Sequence, residues 1–324
     1  MENYTIHRLE QVDFDCLIPL MQDCFGMEVD IDYFKWKYLD NPDGFVRGYI
    51  AKTSQNEIAA YYGVIPQIIS YFGEEKLAYQ SCDTMTHSKH RRKGLFQLLA
   101  KHCYSELEQE NQLFIIGFGG SESTPGFLKF GWKHLFDCKN YFYPSLFSKM
   151  YSKSKTHTTN ELPIADLTKI KQLIIPLTIA KIHTLRTFEK YMWRLNNPLH
   201  NYKILTLRST SSEEITSYIV YYTEASKIQL IDYTIASKRE GNQLMNEVIL
   251  KEKKSQPIKG ILAFCQEKST WSLPLQKIGF MSNPFSKGPL SYRTPFITFT
   301  KEEDYQIVKN CTCWNISPYD HDSV

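Results

Sequence analysis

Apolar positions recur at helical spacing in one long stretch of the chain and alternate or cluster in several short ones. Over 94–108, Leu95, Leu98, Leu99, Cys103 and Leu107 share one helical face, which predicts a helix there. Weaker periodicity predicts helices over 13–24 and 31–38. The second is stopped by Asp40-Asn41-Pro42-Asp43-Gly44, where the proline cannot continue a helix. A short strand at 4–8 opens the chain, and 45–52 with 57–66 reads as a hairpin turning at Ser54-Gln55-Asn56. Residues 67–72 extend its second strand through a bulge at Pro66, and 77–86 is the strand after it. The run 113–118 is apolar throughout, as expected of a strand covered on both faces.

The pattern then repeats. Trp36-Lys37 with Asn41-Pro42 is echoed by Trp193-Arg194 with Asn197-Pro198, and Ala60-Tyr61-Tyr62 by Val220-Tyr221-Tyr222. Asp83-Thr84-Met85 falls opposite Asp232-Tyr233-Thr234, and the segment 127–132 (FLKFGW) opposite 275–280 (LQKIGF). Four echoes in the same order indicate a tandem duplication rather than two unrelated domains. Between 145 and 162 the composition shifts to Ser, Lys, Thr and Asn, as a linker would. The expected organisation is a first domain at 1–144, a linker at 145–165, a second domain at 166–305 and a tail at 306–324.

Composition narrows the function classes. With 324 residues, 42% hydrophobic and 23% charged, the chain reads as ordinary globular protein. Lys plus Arg number 38 against 35 Asp plus Glu, a net +3 that argues against a dedicated nucleic-acid binder. No apolar run reaches membrane-spanning length, and the start lacks a signal-peptide layout. The eight cysteines are scattered, and Cys311-Thr312-Cys313 is a poor metal pair by itself, so reduced thiols, a cytoplasmic location and no metal are expected.

The sharpest chemical signal lies where the predicted strand 77–86 runs through His87-Ser88-Lys89-His90 and Arg91-Arg92-Lys93-Gly94-Leu95-Phe96 into the helix. Such a turn aims successive backbone N–H groups and the positive end of a helix dipole at one spot, which suits a pyrophosphate. Gly94 lets the main chain approach a ligand, and Arg91, Arg92 and Lys93 supply charge. Cations at a helix N-terminus oppose the dipole, so an anion there would relieve a conflict.

This turn resembles motif A of the GCN5-related N-acetyltransferase (GNAT) superfamily, Arg/Gln-x-x-Gly-x-Gly/Ala, with Arg91, Gly94 and Phe96 at the defined positions. Phe96 departs from the small residue of that pattern. The variant Arg-x-x-Gly-Leu-Phe is similar to the branch of the enhanced-intracellular-survival type acetyltransferases. The stretch 127–132 resembles the family's Phe-Tyr-x-Lys-x-Gly-Phe segment. The resemblance covers residues 1–140, with a degenerate copy to about residue 300. It implies an α/β fold of two tandem GNAT-like domains, each a mixed, mostly antiparallel sheet flanked by helices.

The resemblance further implies acetyl-CoA as acyl donor and a small primary amine or amino sugar as acceptor, joined by direct attack, with neither nucleic acid nor membrane as partner. Met85 and Thr86 would contact the pantetheine arm and Arg91, Arg92, Lys93, Gly94, Leu95 and Phe96 the pyrophosphate. Where the family often has a proton-donating tyrosine, this chain has Phe127. The expected proton carriers are Asp83, Glu122 and the tail groups Asp320, His321, Asp322 and the terminal carboxylate of Val324. Trp314 and Tyr319 would anchor that tail. The second copy has only Lys238-Arg239-Glu240-Gly241-Asn242-Gln243 at the turn and is expected to be non-catalytic. Two other readings are a FemAB-like aminoacyl transferase and a non-catalytic acyl-CoA-binding module.

Overall fold

A computed structural model describes residues 3–121, 123–150, 156–174, 181–285 and 287–321. The chain begins with β1 (Thr5–Arg8), α1 (Phe14–Phe25), α2 (Ile31–Phe34), β2 (Arg47–Lys52), β3 (Ile58–Tyr71) and β4 (Glu74–Thr86). It continues through α3 (Leu95–Gln109), β5 (Phe114–Phe118) and α4 (Thr124–Lys129). The strands lie side by side as β1-β2-β3-β4-β5, all pairs antiparallel except β4/β5. The periodic face of α3 supplies Leu95, Leu99, Cys103 and Leu107 to a core with Ala60, Tyr62, Val64 and Ile115. Each such leucine stabilises the fold by about 1.5–3 kcal/mol. Among the described residues no helix is long and apolar enough to cross a membrane.

Two details of this half differ from the sequence reading. The expected helix over 31–38 is α2 followed by a π-helical turn, Lys35–Leu39, which buries Trp36, Lys37 and Tyr38. Pro66 causes no bulge. The pairing of β3 with β2 ends at Val64, so the missing N–H of Pro66 breaks no ladder bond on that side. Its carbonyl accepts from Asn41 Nδ2 at 3.0 Å. The register shift of β3 against β4 lies instead between Tyr61 and Gly63.

The second half holds β6 (Lys133–Pro144), β7 (His157–Leu162), α5 (Lys171–Ile174), β8 (Ile182–Thr184) and α6 (Phe188–Leu195). Then come β9 (Lys203–Ser209), β10 (Ile215–Glu224), β11 (Lys227–Thr234), α7 (Lys238–Glu252), β12 (Gly260–Gln266), α8 (Ser272–Lys277) and β13 (Met281–Ser282). Its strands lie in the order β6-β12-β11-β10-β9-β7, with β11/β12 the parallel pair. Leu244, Met245, Val248 and Ile249 of α7 pack on Leu207, Ile219, Leu230 and Ile261. The order helix, three strands, helix, parallel strand, helix thus occurs in both halves.

The segment expected as a linker contains β7, paired with β9 from His157↔Ser209 to Leu162↔Ile204. Its residues His157 to Asn160 alternate half-buried and exposed, as suits the last strand of a sheet, and its polar composition disguised it as linker. The last part of the chain also divides differently from expectation. Strand β14 (Arg293–Thr300) pairs antiparallel with β5, Ile297 facing Gly117, and α9 (Glu302–Val308) follows it. The compact units are Met1–Leu135 with Asn196–Leu199 and Pro295–Asn310 (unit 1), and Phe136–Leu195 with His200–Thr294 and Cys311–Val324 (unit 2).

Candidate active site

In unit 1 the basic turn joins the end of β4 to α3. His87 begins a short 3-10 turn, Ser88–His90, its Nδ1 accepting from Lys89 N–H. Arg91 is extended, Arg92 is left-handed at φ 62° and Gly94 is left-handed at φ 76°. Glycine is the residue that takes this conformation without penalty, and a Cβ built on Gly94 would meet nothing within 4 Å. No side chain caps α3 and no acid lies in its first turn, so its leading N–H groups are open to an anion. Arg91, Arg92, Lys93 and Gly94 are all exposed, and Arg92 makes no hydrogen bond or ion pair with any described residue. Leu95 is buried and Met85 is 1% exposed, so both serve the core with their side chains and offer a ligand only backbone.

Side chains remote in sequence brace the turn. Asp23 accepts from Ser88 N–H at 2.7 Å and Ser88 Oγ at 2.8 Å. Tyr4 Oη contacts His90 Nδ1 at 2.9 Å and accepts from Lys93 Nζ at 3.0 Å. The Thr86 carbonyl accepts from Arg91 Nε at 3.3 Å and Cys24 Sγ at 3.4 Å. Burial pushes the Cys24 thiol up, which keeps it a neutral donor. Sequence reasoning missed Asp23. Its one local signal is an acid near the C-terminal end of α1, unfavourable to the helix dipole unless a partner compensates.

The Ser88 N–H, and secondarily its hydroxyl, hold the Asp23 carboxyl below its ordinary 3.8. The bracing is therefore complete above that value and is lost as pH falls through the lowered one. At neutral pH, Asp23→Ala is expected to speed amide exchange at Ser88 about tenfold while the melting temperature stays nearly constant. An unchanged exchange rate would remove Asp23 from the account.

Beside the turn, β4 and β5 part. They pair only at Tyr79↔Ile115 and Gln80↔Ile116, beyond which β5 continues its ladder with β14. Asp83 and Thr84 stand opposite the single residue Tyr62, a bulge that puts Asp83 at φ 46°. Lys37 Nζ lies 2.7 Å from Asp83 Oδ2, and Tyr38 Oη donates to the same oxygen at 2.9 Å. The Lys37 and Asp83 side chains are 0% and 8% exposed, so the bulge is held by a buried ion pair. Burial, and then the Asp83 charge, pushes the Tyr38 hydroxyl well above its usual range.

Phe127 is 5% exposed and packs edge-on to Phe96 at 5.0 Å and Trp132 at 4.8 Å. Phe96 in turn meets Tyr62 at 5.7 Å. The two departures from the family pattern, a large residue at 96 and a phenylalanine at 127, thus fill one another's space. Phe127 belongs to the core of α3 and α4.

Unit 2 treats the corresponding features differently. Ser237 caps α7, accepting from Glu240 N–H, and the Glu240 carboxylate accepts from Thr216, Ser217 and Ser237 hydroxyls at 2.6, 2.7 and 3.2 Å. Burial alone would raise the Glu240 carboxyl, but these hydrogen bonds outweigh it and lower it. A Cβ on Gly241 would lie 3.0 Å from Ile278 and 3.1 Å from Ile235, so this glycine serves packing. Asp232 is the counterpart of Asp83. It pairs with Arg186 at 2.8 Å and accepts from Tyr191 and Tyr218, both at 2.9 Å, next to a one-residue register shift.

The tail groups divide. Asp320 accepts from Ser317 N–H and Oγ at 2.7 and 2.8 Å, closing a capping box inside unit 2. Tyr319 stacks on Tyr191 at 5.4 Å, and Trp314 meets Phe136 at 6.4 Å. Glu122, Asp322 and Val324 lie outside the described residues. All eight cysteines are free thiols.

Residues 5–135 match the family model of an acetyltransferase (GNAT) domain. No curated protein matches the chain. Among solved structures the chain is similar to a conserved protein of unknown function from Enterococcus faecalis (11% identity, 91% of this chain and 72% of that one, TM-score 0.68). It is also similar to a GCN5-related N-acetyltransferase from Anabaena variabilis (12% identity, 91% and 72%, TM-score 0.64). A third is Saccharomyces cerevisiae N-myristoyltransferase with bound myristoyl-CoA (11% identity, 93% and 79%, TM-score 0.61). At such identities these likenesses concern the fold. The segment 5–135, which holds the uncapped basic turn and the parted strands, is similar to an acetyltransferase (GNAT) domain.

Proposed function

We propose that unit 1 binds acyl-CoA, with acetyl-CoA as the donor, and transfers the acyl group to a primary amine of a small molecule or amino sugar. The observation that carries this reading is the exposed, uncapped, left-handed turn at Gly94, with Arg91, Arg92 and Lys93 beside it and open space above it. The N–H groups of Leu95 and Phe96 and the three cations would hold the pyrophosphate. The β4 edge from Ser81 to Thr86, unpaired with β5, would hold the pantetheine arm by backbone hydrogen bonds. When bound, acyl-CoA supplies an activated thioester and a thiolate leaving group. The protein's part is to fix the thioester and exclude water, which serves direct attack by an amine.

In this reading Asp83 positions the site. Its carboxylate is engaged by Lys37 and Tyr38, and Asp232 repeats that arrangement in a unit whose turn is closed to anions. The burial of Phe127 favours one second reading, an acyl-CoA-binding module without turnover. Thiol release from acetyl-CoA with a panel of primary amines, amino sugars included, decides between them. Amine-dependent release is expected. Saturable acetyl-CoA binding with no release across the panel would support the module.

A further inference from the structure

Residues 316–320 are all buried, with Ser317 0% exposed. They sit where unit 2 opens. Strands β11 and β12 pair from Lys227↔Gly260 to Leu230↔Ala263, and beyond that the residues Phe264, Cys265 and Gln266 pair only with β6. Gln266 N–H donates to the Ile316 carbonyl at 3.1 Å, and its side-chain oxygen accepts from Ile316 N–H at 3.3 Å. Two residues back along β12, Phe264 meets the His321 ring edge-on at 5.6 Å. The segment thus meets the open end of β12 through one main-chain hydrogen bond and then turns in a 3-10 helix, Pro318–Asp320, that brings His321 beside Phe264.

The other wall is chemically specific. Arg186, paired with Asp232 of β11, donates to Ser317 Oγ at 3.2 Å and lies 4.6 Å over the Tyr319 ring. Tyr191 stacks on the Tyr319 ring at an interplanar angle of 16°, and Arg194 donates to the His321 carbonyl. The segment is thus held by one main-chain hydrogen bond and by side chains received in defined places.

We infer that the opening between β11 and β12 is a peptide-binding site and that its ligand is the chain's own segment Asn315–His321. It occupies in unit 2 the place that the parted strands β4 and β5 leave for a pantetheine arm in unit 1. The capped start of α7 and this intramolecular peptide together close unit 2 to acyl-CoA. The peptide site itself stands whether or not unit 1 transfers an acyl group.

The test is complementation. A chain ending at Trp314 is mixed with a synthetic peptide of the sequence Asn315–His321. Truncation is expected to lower the melting temperature and speed exchange of the Gln266 amide about tenfold. The peptide should restore both at one equivalent, and a peptide carrying Ser317→Ala and Tyr319→Ala should bind about tenfold more weakly. A folded truncated chain that ignores the peptide overturns the inference. Should the truncated chain not fold, the full-length chain with the same two substitutions serves. Faster exchange at Gln266 is then expected, and an unchanged rate overturns the inference.

Discussion

Gly94→Glu is expected to abolish acyl-CoA binding, lowering affinity roughly a hundredfold or more, while the circular dichroism spectrum stays that of the parent. The substitution forces a side chain into φ 76°, and it places a carboxylate beside the N–H groups that would receive the pyrophosphate. Gly94→Ala separates them, because it carries the backbone penalty of about 1–2 kcal/mol without the charge. Space exists for the methyl group, since nothing lies within 4 Å. The alanine variant should therefore bind more weakly than the parent but far better than the glutamate variant. Arg92→Ala should lose about 1–3 kcal/mol of binding, the range for one charge-assisted hydrogen bond. Full affinity in a folded Gly94→Glu variant would remove the basis of the donor site.

Lys37→Met is expected to destabilise the protein by about 3–5 kcal/mol, because it strands the Asp83 carboxylate in a site where the two side chains are 0% and 8% exposed. Denaturant unfolding should show this as a lower midpoint. Lys37→Met with Asp83→Leu should recover most of the loss, since an apolar replacement of a buried ion pair is often near neutral. The catalytic consequence distinguishes positioning from proton transfer. The double variant lacks the carboxylate and also its hold on the bulge of β4 opposite Tyr62. As a positioning residue, Asp83 should show its loss as weaker acyl-CoA binding at every pH. Loss of a general base would instead lower turnover with binding intact.

Much of unit 1 was legible because its signals are local. Leu95, Leu99, Cys103 and Leu107 announce α3 by spacing, and the Arg91–Phe96 turn announces itself by the conflict between cations and a helix dipole. The echoes Asp83/Asp232 and Trp36-Lys37/Trp193-Arg194 are the basis of the expected tandem duplication; the structure shows for each half the order helix, three strands, helix, strand, helix. Asp232 pairs with Arg186, whereas Arg194, the echo of Lys37, donates to the His321 carbonyl.

What stayed hidden depends on residues far apart in sequence. Strand β14 joins β5 from nearly two hundred positions away, and no spacing rule anticipates it. Asp23 meets Ser88, and Gln266 meets Ile316, only after the chain has folded. Strand β7 was masked by its polar composition, and the tail by its position at the end of the sequence. Phe127 looked like a defect in a catalytic pattern, yet its packing against Phe96 gives it a place in the core.

In the proposed function one half of the chain receives the donor and the other does not. Hydrogen exchange with and without saturating acetyl-CoA tests it most directly. Protection confined to residues 81–97, the β4 edge and the start of α3, is the predicted result, with residues 231–244 unchanged. Protection at 231–244, or none at 81–97 despite measurable binding, would contradict it.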